Sequence, residues 1–371
     1  MNKNTRVHLL FALLFGLMQP QCLASDWKHT RPADHVELLK TDRSTRDDAE
    51  FHAFEKKVTD TFLAGDVERL QSIASSAWKS GAAMPNGQPK LRAFYYGINT
   101  SDRDLKSTDK TAWEHVFAIA DRWQKAHPDS PFAGLAKTTL LIDYAWSIRG
   151  KGYSDTVSAE ASEGFESTIR EVKRRLEESK PVTGAVPEWY AQMADVYRYL
   201  SLDPNDLQSL TDEALQKFPG YYEIYTNAAK AFLPKWGGSD ADFAKFAKHV
   251  EEAAPPGYGP MLYARIYYSA SCCDYYDGAV FTKGGADWPM LKQGLEAMRQ
   301  RYPDAFNVDM EAYFSCSAMD VGILPKLMGK IGNSPHPAIW KDSYLFRNCQ
   351  DMAERMKHHP DGPRSEWYPP S

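Results

Sequence analysis

Histidine, cysteine and carboxylate side chains are where chemistry would begin, so their spacing is read first. The ten histidines are scattered. No H-E-x-x-H or C-x-x-C spacing brings ligands to one metal, and only His358-His359 are adjacent. Asp240, Asp242 and Glu251 approach the spacing of a calcium loop, but Lys245 stands where that loop needs a glycine turn. Phe243 and Phe246 instead fit one helix face. "RGKGYS" (149–154) has two glycines without the spacing of a phosphate or dinucleotide loop, and no G-x-S-x-G elbow presents a serine. With 49 acids, apparent carboxylate pairs are explained by solvated helix faces. No catalytic, metal-binding or cofactor-binding residue is therefore assigned, and activity as an enzyme is the less favoured expectation.

The cysteines carry a different message. Lys3 and Arg6 precede the apolar run 8–18, which is shorter than the roughly 20 residues a membrane-spanning helix needs, and Cys22-Leu23-Ala24 supplies small residues before a cut. Residues 1–24 read as a signal peptide, and the mature chain is expected in the periplasm or outside the cell, without stable membrane insertion. In that oxidising setting Cys316 and Cys349, 33 positions apart in helical patterns, are the expected disulfide. Cys272 and Cys273 are adjacent and cannot bond to each other without strain. The alternative is that all four are buried apolar thiols. A formal net charge of −5 leaves no positive excess with which to neutralise nucleic-acid phosphates.

Nearly every readable segment has a helical period. Phe51, Phe54, Val58 and Phe62 share one face; after "AGD" (64–66), Val67, Leu70, Ile73 and Trp78 share another, giving an antiparallel pair. The stretch 80–107, rich in Gly, Pro, Asn and Asp, reads as a long loop closing an N-terminal unit (25–107). Beyond it, "QKAHPD", "QKFPG" and "QRYPD" end three helical patterns at Pro128, Pro219 and Pro303, with about four helices predicted in each interval. A basic residue suits a helix C-terminus and a proline cannot continue the helix. The motif therefore marks layer boundaries in a stack of helix pairs of roughly 42–46 residues, near the HEAT length. The predicted fold is all-α, an α-solenoid or α/α superhelix over 108–357, followed by a flexible tail (358–371).

Three loop or loop-edge residues remain as candidates for contact with a partner: Arg149, Tyr153 and Trp236. Aromatic and charged side chains beside glycines can present a flat face to a peptide or sugar. For Trp236 the expectation is rather that Gly237-Gly238 lets the ring fold back as a plug between helix pairs.

Several segments together resemble a bacterial family known as domain of unknown function 4034. They are "AWSIRGKGYSDTVS" (145–158), "FLPKWGGS" (232–239), "YARIYYSAS" (263–271), "WPMLKQGLEAMRQRYPDAFN" (288–307) and "FSCSAMD" with "KIGNSPHPAIW" (314–340). Met319-Asp320 stands where a Gly-Asp turn is expected. The resemblance implies a helical, tetratricopeptide-like domain and no activity. The functional expectation is a scaffold that binds a protein or peptide along its concave surface. The alternative is an α/α-toroid enzyme acting on a polysaccharide through paired carboxylates.

Overall fold

The computed structural model describes residues 46–99, 110–150, 152, 156–272, 275–276, 279–340 and 343–367. The expected signal peptide, Tyr153 and Cys273 lie outside them. Among the described residues there are helices and no strand, only a lone bridge between Ala83 and Pro89. The helices are α1 (Arg46–Leu63), α2 (Val67–Lys79), α3 (Lys90–Asn99), α4 (Lys110–Ala126), α5 (Pro131–Arg149), α6 (Ala159–Thr183), α7 (Pro187–Tyr199) and α8 (Pro204–Lys217). They continue as α9 (Glu223–Ala231), α10 (Asp240–Ala253), α11 (Gly259–Cys272), α12 (Trp288–Arg301), α13 (Ala305–Ser317), α14 (Leu324–Ile331), α15 (Ser343–His358) and α16 (Arg364–Trp367).

Local chemistry sets these boundaries. Ser130 accepts the Phe132 amide and Asp203 that of Asn205, each followed by proline at the first helical position, where a missing N–H costs nothing. The three proline motifs follow the ends of α4, α8 and α12, whose last turns carry Lys125, Lys217 and Arg299 with Arg301. Each interval holds four α-helices, α5–α8 and then α9–α12, as the periodicity predicts. Asp240 and Asp242 occupy the first turn of α10, capped by Ser239, and Phe243 and Phe246 are buried on its core face.

The helices pack in two rows around one continuous core. Helices α3, α5, α7, α9 and α11 touch in sequence along an inner row; α6, α8, α10 and α12 fill the outer row, each against its sequence neighbours, and α4 packs on α5, α2 and α1. The inner row curves. The short stretch Asn86–Tyr95 reaches α13 and α11 through the Asn86 carbonyl, which accepts from Asn307 Nδ2 (3.3 Å) and Arg265 Nη2 (2.6 Å). It reaches α7 and α9 through Arg92, and α5 through the Tyr95 hydroxyl on the Phe132 carbonyl. One short segment can meet five helices only if they bend around it, so its side of the stack is concave.

That segment includes a departure from the sequence reading. The stretch expected to be a loop contains α3, and one of its three glycines, Gly97, serves packing instead of a turn. A Cβ on Gly97 would lie 2.6 Å from Val58 Cβ and 2.8 Å from the Glu55 carbonyl, so glycine lets α3 press against α1. The expected tail differs too: Trp367 is buried and its indole N–H donates to the His359 carbonyl (3.0 Å).

Candidate binding site on the inner helix row

Two polar stripes face the concave side. On α7 they are Glu188, Gln192, Asp195 and Arg198, three or four positions apart and hence on one helix face; on α9 they are Glu223, Asn227 and Lys230. Near the N-terminal ends of these helices the stripes are closed by the chain itself. Arg92 from α3 lies between two carboxylates, donating to Glu188 (3.0 Å) and Glu223 (3.1 Å). Glu188 also accepts from the Tyr221 hydroxyl (2.5 Å), and Gln192 ties it to Thr138 and Thr139 of α5. Burial pushes the Glu188 carboxyl up against the pull of Arg92 and Tyr221. Burial works against the Arg92 guanidinium, yet Glu223 and Glu188 hold it well above its ordinary value.

Toward the C-terminal ends the arrangement changes. Asp195 is the hub: one oxygen accepts from Arg198 Nη2 (2.5 Å) and the other from Asn227 Nδ2 (2.9 Å). Burial raises the Asp195 carboxyl, while Arg198 and Lys230 act to lower it. Arg198 is nine-tenths buried, yet its Nε has no acceptor. The Trp236 indole nitrogen is buried and likewise without one. Lys230 reaches only the Asn227 side-chain oxygen, at 3.4 Å, and has no carboxylate within 4.0 Å among the described residues. Burial, and then Arg198, pull its ammonium below the ordinary lysine value. Buried donors are nearly always paired; Arg198 Nε and Trp236 Nε1 are exceptions at this end of the stripes, as Arg92 Nε is at the other.

Aromatic rings frame this region. The Arg149 guanidinium stands over Trp146 (5.2 Å), which meets Tyr199 (5.4 Å), which meets Trp236 (5.9 Å). Arg198 lies over both Tyr199 (4.6 Å) and Trp236 (5.1 Å). Two of the three candidates read from the sequence, Arg149 and Trp236, are thus opposite ends of one ladder across the ends of α5, α7 and α9. Trp236 folds back onto the core through Gly237, at φ +96°, and Gly238, where a Cβ would lie 2.1 Å from the Phe232 carbonyl oxygen. The ladder remains partly exposed at Trp146, Arg149, Tyr199, Lys230 and Trp236.

Arg198, Lys230 and Asp195 were not singled out by sequence reasoning. Polar residues at helical spacing look like an ordinary solvated face; only the neighbouring row buries them. The 232–239 segment offered the one signal, a tryptophan beside two glycines.

Other polar clusters are structural. Cys316 and Cys349 are bonded at 2.03 Å, joining α13 to α15 as expected, and both are buried. Asp309 nearby accepts from the His336 amide (2.6 Å) and the Trp340 indole (2.9 Å). Met319 has a left-handed backbone (φ +55°), the conformation that a Gly-Asp turn would supply, and Asp320 accepts from the Gly322 and Ile323 amides in the turn before α14. A cavity of about 520 Å³ between α2 and the α4–α5 connection includes Gln71 and Ser130, already bonded to each other. Among the described residues no group of three histidine, cysteine, aspartate or glutamate side chains could hold a metal, and no helix is long and apolar enough to cross a membrane.

No family model, no curated protein and no solved structure matches this chain.

Proposed function

We propose that this is an exported helical-repeat protein that binds a protein or peptide segment in the cell envelope or outside the cell, and that membership of the family it resembles goes with that role. The observation carrying the reading is the contrast within one concave face. At the N-terminal ends of α7 and α9 the inner carboxylates are taken by Arg92 of α3; at the C-terminal ends a partly exposed aromatic ladder runs from Arg149 to Trp236 with Arg198 over its rings. The covered half shows what the face can hold. It grips a polypeptide of its own, taking the Asn86 carbonyl with two side chains from two helices. Export is supported by the leader pattern and by a disulfide that suits an oxidising compartment.

The polysaccharide-hydrolase reading fares less well on the same geometry. Such enzymes need two carboxylates about 5–9.5 Å apart and free to exchange protons across a cleft. Glu188 and Glu223 face each other, but Arg92 occupies both. The test is site-specific photo-crosslinking in cells, with the crosslinker at Arg149 on the concave rim or at Arg170 on the exposed outer helix α6. A discrete adduct from position 149, missing from position 170 and lost in Trp236→Ala, supports the reading. Equal adducts from both positions, or none, would sink it.

A further inference from the structure

The cavity of about 520 Å³ between α2 and the α4–α5 connection lies at the opposite end of α5 from Arg149, about 27 Å along that helix from the aromatic ladder. We infer that it is a binding site for one neutral sugar unit, with Trp78 as its apolar wall and Gln71, Ser75 and Asp129 as its hydrogen-bonding groups. Its size falls among small-molecule pockets, roughly 300–1,000 Å³. The N-terminal segment creates it. Helix α2 meets the end of α4 where His127 Nε2 lies 3.0 Å from Glu68, and the end of α8 where Trp78 packs edge-on against Phe218 at 5.8 Å. His127 and Phe218 belong to two of the three proline motifs, so α2 bridges them, and the cavity opens between the two contacts along Gln71 and Ser75.

Gln71 is oriented by its partners. The Trp123 indole can only donate, so the Gln71 side-chain oxygen must face it (3.1 Å), and Ser130 Oγ donates to the same oxygen (2.7 Å). The amide NH2 is thereby left on the cavity side. Unlike the sealed nitrogens of Arg198 and Trp236, Gln71 Nε2 and Trp78 Nε1 are open to solvent, and no group among the described residues accepts from them. Ser75, Lys79 and Asp129 also line the cavity without a side-chain hydrogen bond or ion pair among the described residues. The charges decide the ligand class. Lys79 and Asp129 cancel and His127 is taken by Glu68, so no net charge calls for an ion. Donors on Gln71 and Trp78, an acceptor on Asp129 and the either-way Ser75 hydroxyl suit groups that both donate and accept, as sugar hydroxyls do. The Trp78 and Phe132 rings give an apolar surface that the C–H face of a sugar can cover. A purely apolar ligand would strip water from the Gln71 amide and Asp129 without replacing it. An amino-acid zwitterion would rely on Lys79 and Asp129, which are exposed, where ion pairs contribute little.

The full chain is titrated calorimetrically with glucose, galactose and N-acetylglucosamine, with lactose and diacetylchitobiose as models of a glycan end, and with glycylglycine, acetate and inorganic phosphate as charged controls. The site predicts saturable one-to-one binding of at least one sugar at millimolar concentration or below, tighter than any charged control. A disaccharide that binds more tightly than its monosaccharide marks the end of a glycan as the ligand; equal or weaker binding marks the free sugar, and both results support the site. Gln71→Glu keeps the oxygen that Trp123 and Ser130 need and replaces the donor pair by an acceptor, so sugar affinity should fall at least about tenfold. Ser75→Leu, which removes a hydroxyl and fills the cavity from a half-buried position, should do the same. Both variants should melt near the wild-type temperature without ligand, which separates a lost site from a lost fold. Trp236→Ala, on the remote ladder, should leave sugar affinity unchanged. No saturation by any sugar, a charged control binding as tightly as the best sugar, wild-type affinity in either variant that melts normally, or binding lost in Trp236→Ala would overturn the assignment.

Discussion

Lys230 is a residue whose surroundings work against its own charge. Burial and the nearby Arg198 hold its folded pKa below the unfolded value. The sign follows: the contribution of a depressed lysine is fully present above its unfolded pKa, about 10.4, and is lost as pH falls through the folded value. At neutral pH the wild type therefore carries a penalty. Lys230→Met is expected to be more stable by about 1 kcal/mol at pH 7, with the difference shrinking as pH approaches 10, as measured by urea unfolding at both pH values. A less stable variant at pH 7 would mean that the ammonium is part of the framework. Arg92 shows the opposite behaviour. It bridges two carboxylates, one of them almost fully buried, so Arg92→Ala should cost about 3–5 kcal/mol by leaving Glu188 without its cation. Adding Glu188→Gln to Arg92→Ala should restore part of the loss, which denaturant unfolding of the two variants would show.

At the scale of elements, the last layers are joined differently from the rest. Helices α5 to α12 hold their neighbours by packing, whereas α13 and α15 are also covalently tied through Cys316 and Cys349. A cross-link between residues 33 apart restricts the unfolded chain, and by loop entropy it is expected to contribute on the order of 3–4 kcal/mol. Cys316→Ser with Cys349→Ser should lower the denaturation midpoint accordingly. Reductant should do the same to the wild type and nothing further to the variant. No difference between oxidised and reduced protein would show that packing alone secures α15.

For the whole molecule, the decisive feature is that the N-terminal segment lies inside the curve. Phe94, Tyr95 and Ile98 of α3 are buried in the common core, Arg92 completes the charge cluster of α7 and α9, and Asn86 bridges α11 to α13. A chain beginning at Lys110 would retain α4 to α16 but expose that core and leave Glu188 and Glu223 without their cation. It is expected to lack a cooperative thermal transition, measured by circular dichroism and calorimetry against the full chain. A sharp transition near the wild-type temperature would mean that the helical stack is self-sufficient and that the segment only occupies its groove.

Period, caps and punctuation were enough to read the all-α stack, the four helices between successive proline motifs and the pairing of Cys316 with Cys349, because each rests on local patterns or on a sparse residue type. The segment 80–107 was less legible. Gly97 reads as a loop former in isolation, and only the approach of Val58 and Glu55 reveals it as a packing contact. Arg149 and Trp236 stood out as unusual loop residues, but that they end a single aromatic ladder depends on Trp146 and Tyr199 from two other helices. Asp195, Arg198 and Lys230 carry no sequence signal at all, since their spacing is that of any solvated helix face. Burial and pairing are properties of the neighbours a residue acquires on folding, and so only the tertiary structure decides which charges are bonded to one another and which stand apart.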